Sequence, residues 1–427
     1  MEMRINPVSS IRGTIIVPGD KSISHRSIML GSLSTGITRI EGFLNGEDCL
    51  STINVFRQLG IAIDRIAETS YQIEGKGLNS LKEPDQVLDV GNSGTTIRLT
   101  TGILAGQNFH SVITGDESII KRPMKRVTDP LKAMGAIIDG KEQGRLAPLS
   151  IRGGTLKGIT YHSPVASAQV KSALLFAGLF ADQQTVITEP SLSRDHSEKM
   201  LKQFGAKLEI KDQQVTIWPN PKLEGQHLQI PADFSSAAFF IAAALLVPNS
   251  ELRIKNVGVN PTRIGFLEAV KLMKGNIEME NLRYYGEEPV ADIVVQSSQL
   301  EAITLDGEWI PKLIDELPLF AVLASQAEGI TRVEDAEELR VKETDRISTI
   351  ISEMNNVGVV MEELKDGFVV QGKQAILGGR VDTHFDHRIG MAMAIAGLIA
   401  KEPIIVDNWE AINISFPSFM KILDEVI

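Results

Sequence analysis

The apolar positions of this chain fall into one pattern that recurs six times. A polar start leads into an apolar helical run rich in Ala and Leu, then a turn, then a short β-branched strand. The starts are Lys21, Asn92, Ser167, Asp233, Asp315 and Asp386, between 66 and 82 residues apart. A second amphipathic helix follows each strand and commonly ends in a glycine, as at Gly60, Gly135, Gly205, Gly275 and Gly358. The sixth, around Phe419, runs out at the C-terminus. Each repeat therefore reads as a β-α-β-α-β-β block of about 70 residues, longer than the usual solenoid repeat.

Runs such as Ala237 to Leu246 are apolar nearly all round, which predicts helices buried in the middle of a layer. Six blocks divide into two sets of three around two cores, an α/β architecture of two similar domains. The stretch Gly225 to Ala232 separates the third block from the fourth, and Pro18-Gly19-Asp20 is the other place where the chain can cross. The expected domains are residues 1–19 with 231–427, and residues 20–230. Recurrent polar helix starts make sense if all six point into one cleft between the two.

Composition narrows the class. The chain has 427 residues and is 43% hydrophobic, ample for a large core. Its longest apolar run is too short to span a bilayer, and its start lacks a signal-peptide apolar region, so no membrane partner is expected. A net charge of -11 with pI near 5.3 argues against nucleic acid. Any anionic ligand must meet locally concentrated Lys and Arg. The single Cys49 excludes an intrachain disulfide, fits a reducing cytoplasm and reads as structural.

Such concentrations occur at the helix starts. In Pro18-Gly19-Asp20-Lys21-Ser22-Ile23-Ser24-His25-Arg26, a strand-like Thr14–Val17 ends at a turn, and a helix beginning near Ser22 places Ser22 and Arg26 on one face. Unpaired N–H groups and the helix dipole favour an anion there, although a capped helix with solvated bases has the same pattern. Gly91-Asn92-Ser93-Gly94-Thr95-Thr96-Ile97-Arg98 is a glycine-bearing turn into a helix, matching neither a Walker loop nor a Rossmann fingerprint, so no nucleotide is expected. Lys121-Arg122-Pro123-Met124-Lys125-Arg126 sets four bases ahead of a helix, as an anion site or a solvated face. Ser167, Gln169 and Lys171 sit inside an apolar run, where hydroxyl and phosphate recognition explains them. Ser193-Arg194-Asp195-His196 opens the next helix.

In the last third, Lys342 and Arg346 are like charges at i, i+4, a repulsion of about 0.2–0.5 kcal/mol unless a carboxylate such as Glu343 intervenes. A buried, base-flanked Glu also transfers protons. Asp315 reads equally as a cap. Arg388, repelled by the dipole at its helix start, suits bidentate contact to carboxylate or phosphate.

Together PGDKSISHR, GNSGTTIR, KRPM, SAQVKSA, DELP, RVKETDRI, DHRIGMAMA and ISFPSF resemble the 5-enolpyruvylshikimate-3-phosphate synthases, from Lys21 almost to the end, and KSISHR with SAQVKS and SRDH is most similar to their second class. The resemblance implies the enolpyruvyl transferase fold, an inside-out α/β barrel in each domain, with the first residues completing the C-terminal half. It implies transfer of the enolpyruvyl group from phosphoenolpyruvate to the 5-hydroxyl of shikimate 3-phosphate, with release of phosphate and no metal or organic cofactor; separately, a cytoplasmic monomer is expected. By the same resemblance Lys21 touches both substrates, while Ser22, Arg26, Ser167, Gln169, Asp315 and Lys342 hold shikimate 3-phosphate. Gly94, Arg122, Gln169, Arg346 and Arg388 hold phosphoenolpyruvate, Asp315 accepts the hydroxyl proton, and Glu343 or Lys21 protonates the methylene carbon. Gly94 leaves room for glyphosate, which that family binds, and Ser93 beside it leaves sensitivity open.

One departure stands out. Many first-class members carry a lysine where this chain has Ile414, so the contact to the leaving phosphate is expected from Arg194 or Lys171. The nearest rival, UDP-N-acetylglucosamine enolpyruvyl transferase, uses a loop cysteine and a Lys-Asn pair where this chain has Lys21-Ser22. A binding protein closing on a phosphorylated acid is the other alternative, against which Asp315 and Glu343 speak.

Overall fold

Each repeat start opens a helix: a largely apolar run follows each of them, and in four of the six a polar side chain also caps the first turn. In the computed structural model, which describes residues 1–427, these helices are α1 (Lys21–Leu33), α2 (Gly94–Ala105), α3 (Ala168–Gly178), α4 (Phe234–Leu246), α5 (Leu317–Gln326) and α6 (His387–Gly397). Side chains of Asp20, Ser93, Asp233 and Asp386 accept a first-turn N–H of α1, α2, α4 and α6. The strand expected at Thr14–Val17 forms two residues earlier, at Arg12–Ile15, and leaves Ile16 exposed.

The chain divides into two units. One comprises Met1–Pro18, Pro231–Tyr284 and Pro289–Ile427, the other Gly19–Ile230 with Tyr285–Glu288. Against the expected division, Gly19 and the hairpin tip Tyr285–Glu288 change sides.

In the unit built on residues 19–230, three four-stranded sheets surround α1, α2 and α3. Their order is the same: two parallel strands, then an antiparallel pair. Leu88–Asp89 runs parallel to His110–Thr114, which pairs antiparallel with Leu149–Arg152, which pairs with Ile137–Gly140. Thr160–His162, Thr185–Thr188, Gln214–Ile217 and Leu208–Lys211 repeat this order. In the third sheet the leading strand comes from the far end of the segment, His227–Gln229 running parallel to Thr35–Glu41. The helices touch closely: a Cβ on Gly102 of α2 would lie 2.2 Å from the Ala173 carbonyl oxygen of α3, so only glycine fits there.

The other unit surrounds α4, α5 and α6. Its sheets run Arg12–Ile15, Glu251–Gly258, Glu288–Gln296, Asn276–Tyr285; then Thr304–Leu305, Ile330–Val333, Gly367–Gln371, Met361–Leu364; then Gly379–Asp382, Ile404–Asp407, Met3–Ile5. The N-terminal strands thus complete two of its three sheets. Every residue of α4 but Leu246 is buried. Phe239 and Phe240 pack on Phe416 and Phe419 at ring-centroid distances of 5.6–6.2 Å, which anchors the last helix, Phe419–Asp424. Each buried ring of this kind contributes roughly 1.5–3 kcal/mol.

Candidate active site

Around α1, α2 and α3, the polar starts converge because side chains cross-link the three helices. His25 Nδ1 lies 2.7 Å from Thr52 Oγ1, which lies 2.7 Å from Thr96 Oγ1, joining α1 to α2 through the helix Glu47–Gln58. Arg26 joins α1 to α3 and to the helix His196–Gln203: its Nη2 donates to Ser172 Oγ at 2.8 Å and its Nε to Ser197 Oγ at 2.6 Å, while Nη1 donates to the Ser22 carbonyl at 3.0 Å. These acceptors are neutral, so the guanidinium keeps its field. Burial pushes Arg26 down to about 10 against the pull of Glu198 and Asp20, and Arg194 adds to the shift. Arg194 therefore stands in the same electrostatic neighbourhood as Arg26. Burial, with Lys21 and Arg26, also holds His25 well below the ordinary histidine range, so this ring is neutral.

Lys21 opens α1, and its ammonium lies 2.5 Å from Asp48 Oδ2. Arg122 is buried, its Nη2 donating to Asn92 Oδ1 at 3.0 Å and Ser118 Oγ at 2.9 Å, whereas Lys121 and Lys125 of the same basic run are exposed. A Cβ on Gly94 would stand 3.0 Å from Arg98 Nη1 and 3.1 Å from Arg122 Nη1, so two guanidinium groups flank the bare start of α2. Gln169 Oε1 accepts from Arg98 Nη1, and its amide nitrogen donates to Thr95 Oγ1 at 3.3 Å. Ser167 is the N-terminal boundary residue of α3 but makes no capping hydrogen bond with its side chain; its N–H donates to Glu189.

Lys171 is a correction. It does not offer its ammonium to a ligand, because Glu189 Oε2 at 2.8 Å and Glu198 Oε1 at 2.7 Å enclose it with almost no exposure. Burial opposes its charge, but Glu198 and Glu189 outweigh that and raise Lys171 above its ordinary value.

In the unit of α4, α5 and α6, the second cluster is ionic. Arg346 is almost fully buried: its Nε donates to Asp386 Oδ2 at 2.7 Å and its Nη2 to Glu343 Oε2 at 2.6 Å, with Asp315 Oδ1 3.6 Å from Nη1. Burial opposes this charge, but Asp386 and Glu343 outweigh it and hold the guanidinium well above its ordinary value. Arg388 Nη1 donates to the Asp315 carbonyl at 3.1 Å, and its Nη2 lies 3.9 Å from the Asp315 carboxylate. Burial, joined by Arg346, pushes Lys342 below the ordinary lysine range, with Asp315 opposing.

Two expectations change here. Lys342 and Arg346 do not share a helix face, because Arg346 is the first residue of the helix Arg346–Asn356, with Asp345 capping it, and Lys342 lies before that start. The boundary residue of α5 is Glu316, not Asp315. Four partners escaped the sequence reading: Asp48, Arg98, Arg263 and Glu316. Arg263 is buried, donates to Ser235 Oγ and lies 3.8 Å from Asp315 Oδ2, and the same Ser235 hydroxyl donates to Glu316. Arg98 stood within a motif already singled out; Asp48 lies in the first turn of the helix Glu47–Gln58, and Arg263 follows an Asn-Pro-Thr turn without periodic signal. Ile414 is buried at the end of a 3₁₀ turn, Trp409–Ile414, and brings no cation. Asp195, His196 and Glu288 place three donor atoms within 4.8 Å of one another, but Lys199, 3.4 Å from Asp195 and 3.8 Å from Glu288, already supplies their counter-charge.

Two sets of three buried helices, each surrounded by small mixed sheets, make up the enolpyruvyl transferase fold. The solved enolpyruvyl transferase NikO from Streptomyces tendae has this fold, with a TM-score of 0.81 at 14% identity over 99% of this chain and 96% of its own. The family model for EPSP synthase (3-phosphoshikimate 1-carboxyvinyltransferase) matches residues 5–423, and the chain belongs to that family. The 3-phosphoshikimate 1-carboxyvinyltransferase of Brevibacillus brevis is 53% identical over 424 residues, 99% of each chain. The solved EPSP synthase of Acinetobacter baumannii is 41% identical, with a TM-score of 0.89 over 99% of this chain and 98% of its own.

Proposed function

We propose that the chain transfers the enolpyruvyl group of phosphoenolpyruvate to the 5-hydroxyl of shikimate 3-phosphate and releases inorganic phosphate. The observation that carries this reading is the Arg346–Asp315–Arg388 arrangement. It places a carboxylate able to take a hydroxyl proton among guanidinium groups able to hold a carboxylate and a phosphate. Arg346 and Arg388, with Arg122, Gln169, Lys21 and the bare N-terminus at Gly94, bind phosphoenolpyruvate. Lys21, Ser22, Arg26, Ser167, Gln169 and Lys342 bind shikimate 3-phosphate, and Arg194, expected at the leaving phosphate, is assigned instead to the acceptor phosphate because its field reaches Arg26.

The proposed chemistry draws on residues of both clusters. Asp315 accepts the proton of the attacking hydroxyl as oxygen bonds to the central carbon of the enolpyruvyl group. Glu343 or Lys21 delivers a proton to its methylene carbon. The resulting adduct then loses phosphate, and the group that protonated the methylene carbon takes a proton back from the methyl so formed, which regenerates the double bond. Fixed cations offset the repulsion between two multiply charged anions, and nearby carboxylates stabilise the cationic character that develops during addition.

No helix is long and apolar enough to cross a membrane, and we assign the enzyme to the cytoplasm as a monomer. Cys49 is buried, with Sγ 3.8 Å from the Lys21 carbonyl, which suits packing rather than the loop cysteine of the UDP-N-acetylglucosamine enzyme. Phosphate release with phosphoenolpyruvate tests the reading. It is expected with shikimate 3-phosphate and not with UDP-N-acetylglucosamine; the opposite preference overturns it. Arg194→Ala is expected to raise the Michaelis constant of shikimate 3-phosphate, and unchanged kinetics removes Arg194 from the site.

A further inference from the structure

The ionic cluster of Asp315 has no surplus of positive charge before any substrate arrives. The cations Arg263, Lys342, Arg346 and Arg388 face the carboxylates Asp315, Glu316, Glu343 and Asp386, and Glu338 also acts on Lys342. A donor bringing a carboxylate and a phosphate adds at least two negative charges to this set. Buried excess charge of one sign is strongly disfavoured, so something anionic has to give way.

The carboxylates differ in their freedom to do so. Asp386 has no exposed side-chain surface, grips Arg346 through both oxygens and caps α6. The Glu316 side chain is 1% exposed and receives the Ser235 hydroxyl. The side chains of Asp315 and Glu343 are 15% and 17% exposed, and both pair with Arg346. We propose, on the site assignment given above, that Asp315 and Glu343 are internal stand-ins for the anionic groups of phosphoenolpyruvate. The donor displaces them from Arg346 and Arg388, and that displacement turns two counter-ions into the proton-transferring groups of the reaction.

A carboxylate between guanidinium groups is a poor proton acceptor, and one that has lost them is a better one. Asp315 released from Arg346 and Arg388 retains Arg263 at 3.8 Å, which keeps it oriented while its proton affinity rises. The arginines keep their protons throughout. The proton that Asp315 gains is the one leaving the acceptor hydroxyl, and the proton that Glu343 delivers is taken up from solvent when the donor frees it from Arg346. Base and acid are thus fully competent only when the donor is bound.

The test is titration calorimetry with phosphoenolpyruvate alone, where no turnover occurs. If the carboxylates compete with the donor, Asp315→Asn and Glu343→Gln bind it more tightly than the parent enzyme, on the order of tenfold for each competing pair removed. Asp315→Glu, which keeps the charge, stays near the parent value. Neutral variants that keep their melting temperature and their affinity for shikimate 3-phosphate, yet bind phosphoenolpyruvate no better, overturn the proposal. The underlying assignment fails separately: if Arg346→Lys and Arg388→Lys bind phosphoenolpyruvate like the parent, the donor is not held there.

Discussion

Arg98 fixes the side-chain amide of Gln169 by donating to its Oε1, which turns the amide nitrogen toward Thr95 at the start of α2. A glutamine facing a substrate has two orientations, and only one offers a donor to an anion.

Arg98→Met is expected to raise the Michaelis constant of phosphoenolpyruvate about tenfold to a hundredfold, the range for losing a charge-assisted hydrogen bond. The constant for shikimate 3-phosphate should move much less, and Arg98→Lys should recover only part of the loss, because a point charge does not reproduce the planar donor. Steady-state phosphate release with each substrate varied in turn checks this. Equal changes in both constants would assign Arg98 a general structural role.

Lys171 holds two buried carboxylates. Lys171→Met leaves Glu189 and Glu198 facing each other without their cation, and is expected to cost about 3–5 kcal/mol of stability. Burial already pushes Glu198 up, so the triple variant Lys171→Met, Glu189→Gln, Glu198→Gln should regain part of that loss. Urea unfolding of the three proteins reads the difference.

His25 sets an acid limit. Its folded-state value lies below the ordinary 6.5 because the ring is buried beside Lys21 and Arg26. The unfolded chain therefore binds a proton that the native protein refuses, and stability is lost as pH falls below 6.5. The loss approaches about 1.4 kcal/mol per pH unit until the native ring titrates. His25→Asn should show a shallower decline of melting temperature between pH 7 and pH 5 than the parent.

Lys342 sets an alkaline one for catalysis. Burial depresses its proton affinity, so it loses charge at lower pH than an exposed lysine, and kcat/KM for shikimate 3-phosphate should fall as pH rises through that lowered value. Lys342→Arg, which stays charged, should shift this limb upward. A pH profile of both proteins with shikimate 3-phosphate varied decides it.

Much of the architecture was legible because burial leaves a period in the sequence. The starts read at Lys21, Asn92, Ser167, Asp233, Asp315 and Asp386 lie within two residues of the helices that form. Side chains that bind across elements leave no such trace. Nothing local marks Arg263 as the neighbour of Asp315, or Glu189 and Glu198 as the partners of Lys171. Spacing misled at Lys342 and Arg346, since i, i+4 means proximity only inside a helix, and the Asp345 cap begins that helix too late to include Lys342. The site residues named from motifs fall into two groups, one in each unit, and it is the partners of those residues that only the fold reveals.

The strand His227–Gln229 closes the last sheet around α1, α2 and α3, while Met3–Ile5 waits for Ile404–Asp407. As the polypeptide leaves the ribosome, Met3–Ile5 therefore has no mate until Ile404–Asp407 has been synthesised. The body that starts at Gly19 has its sheets in hand soon after residue 229 emerges. Vectorial synthesis thus imposes an order on maturation: the inserted body completes early, and its host, which takes segments from both sides of it in the sequence, is finished later.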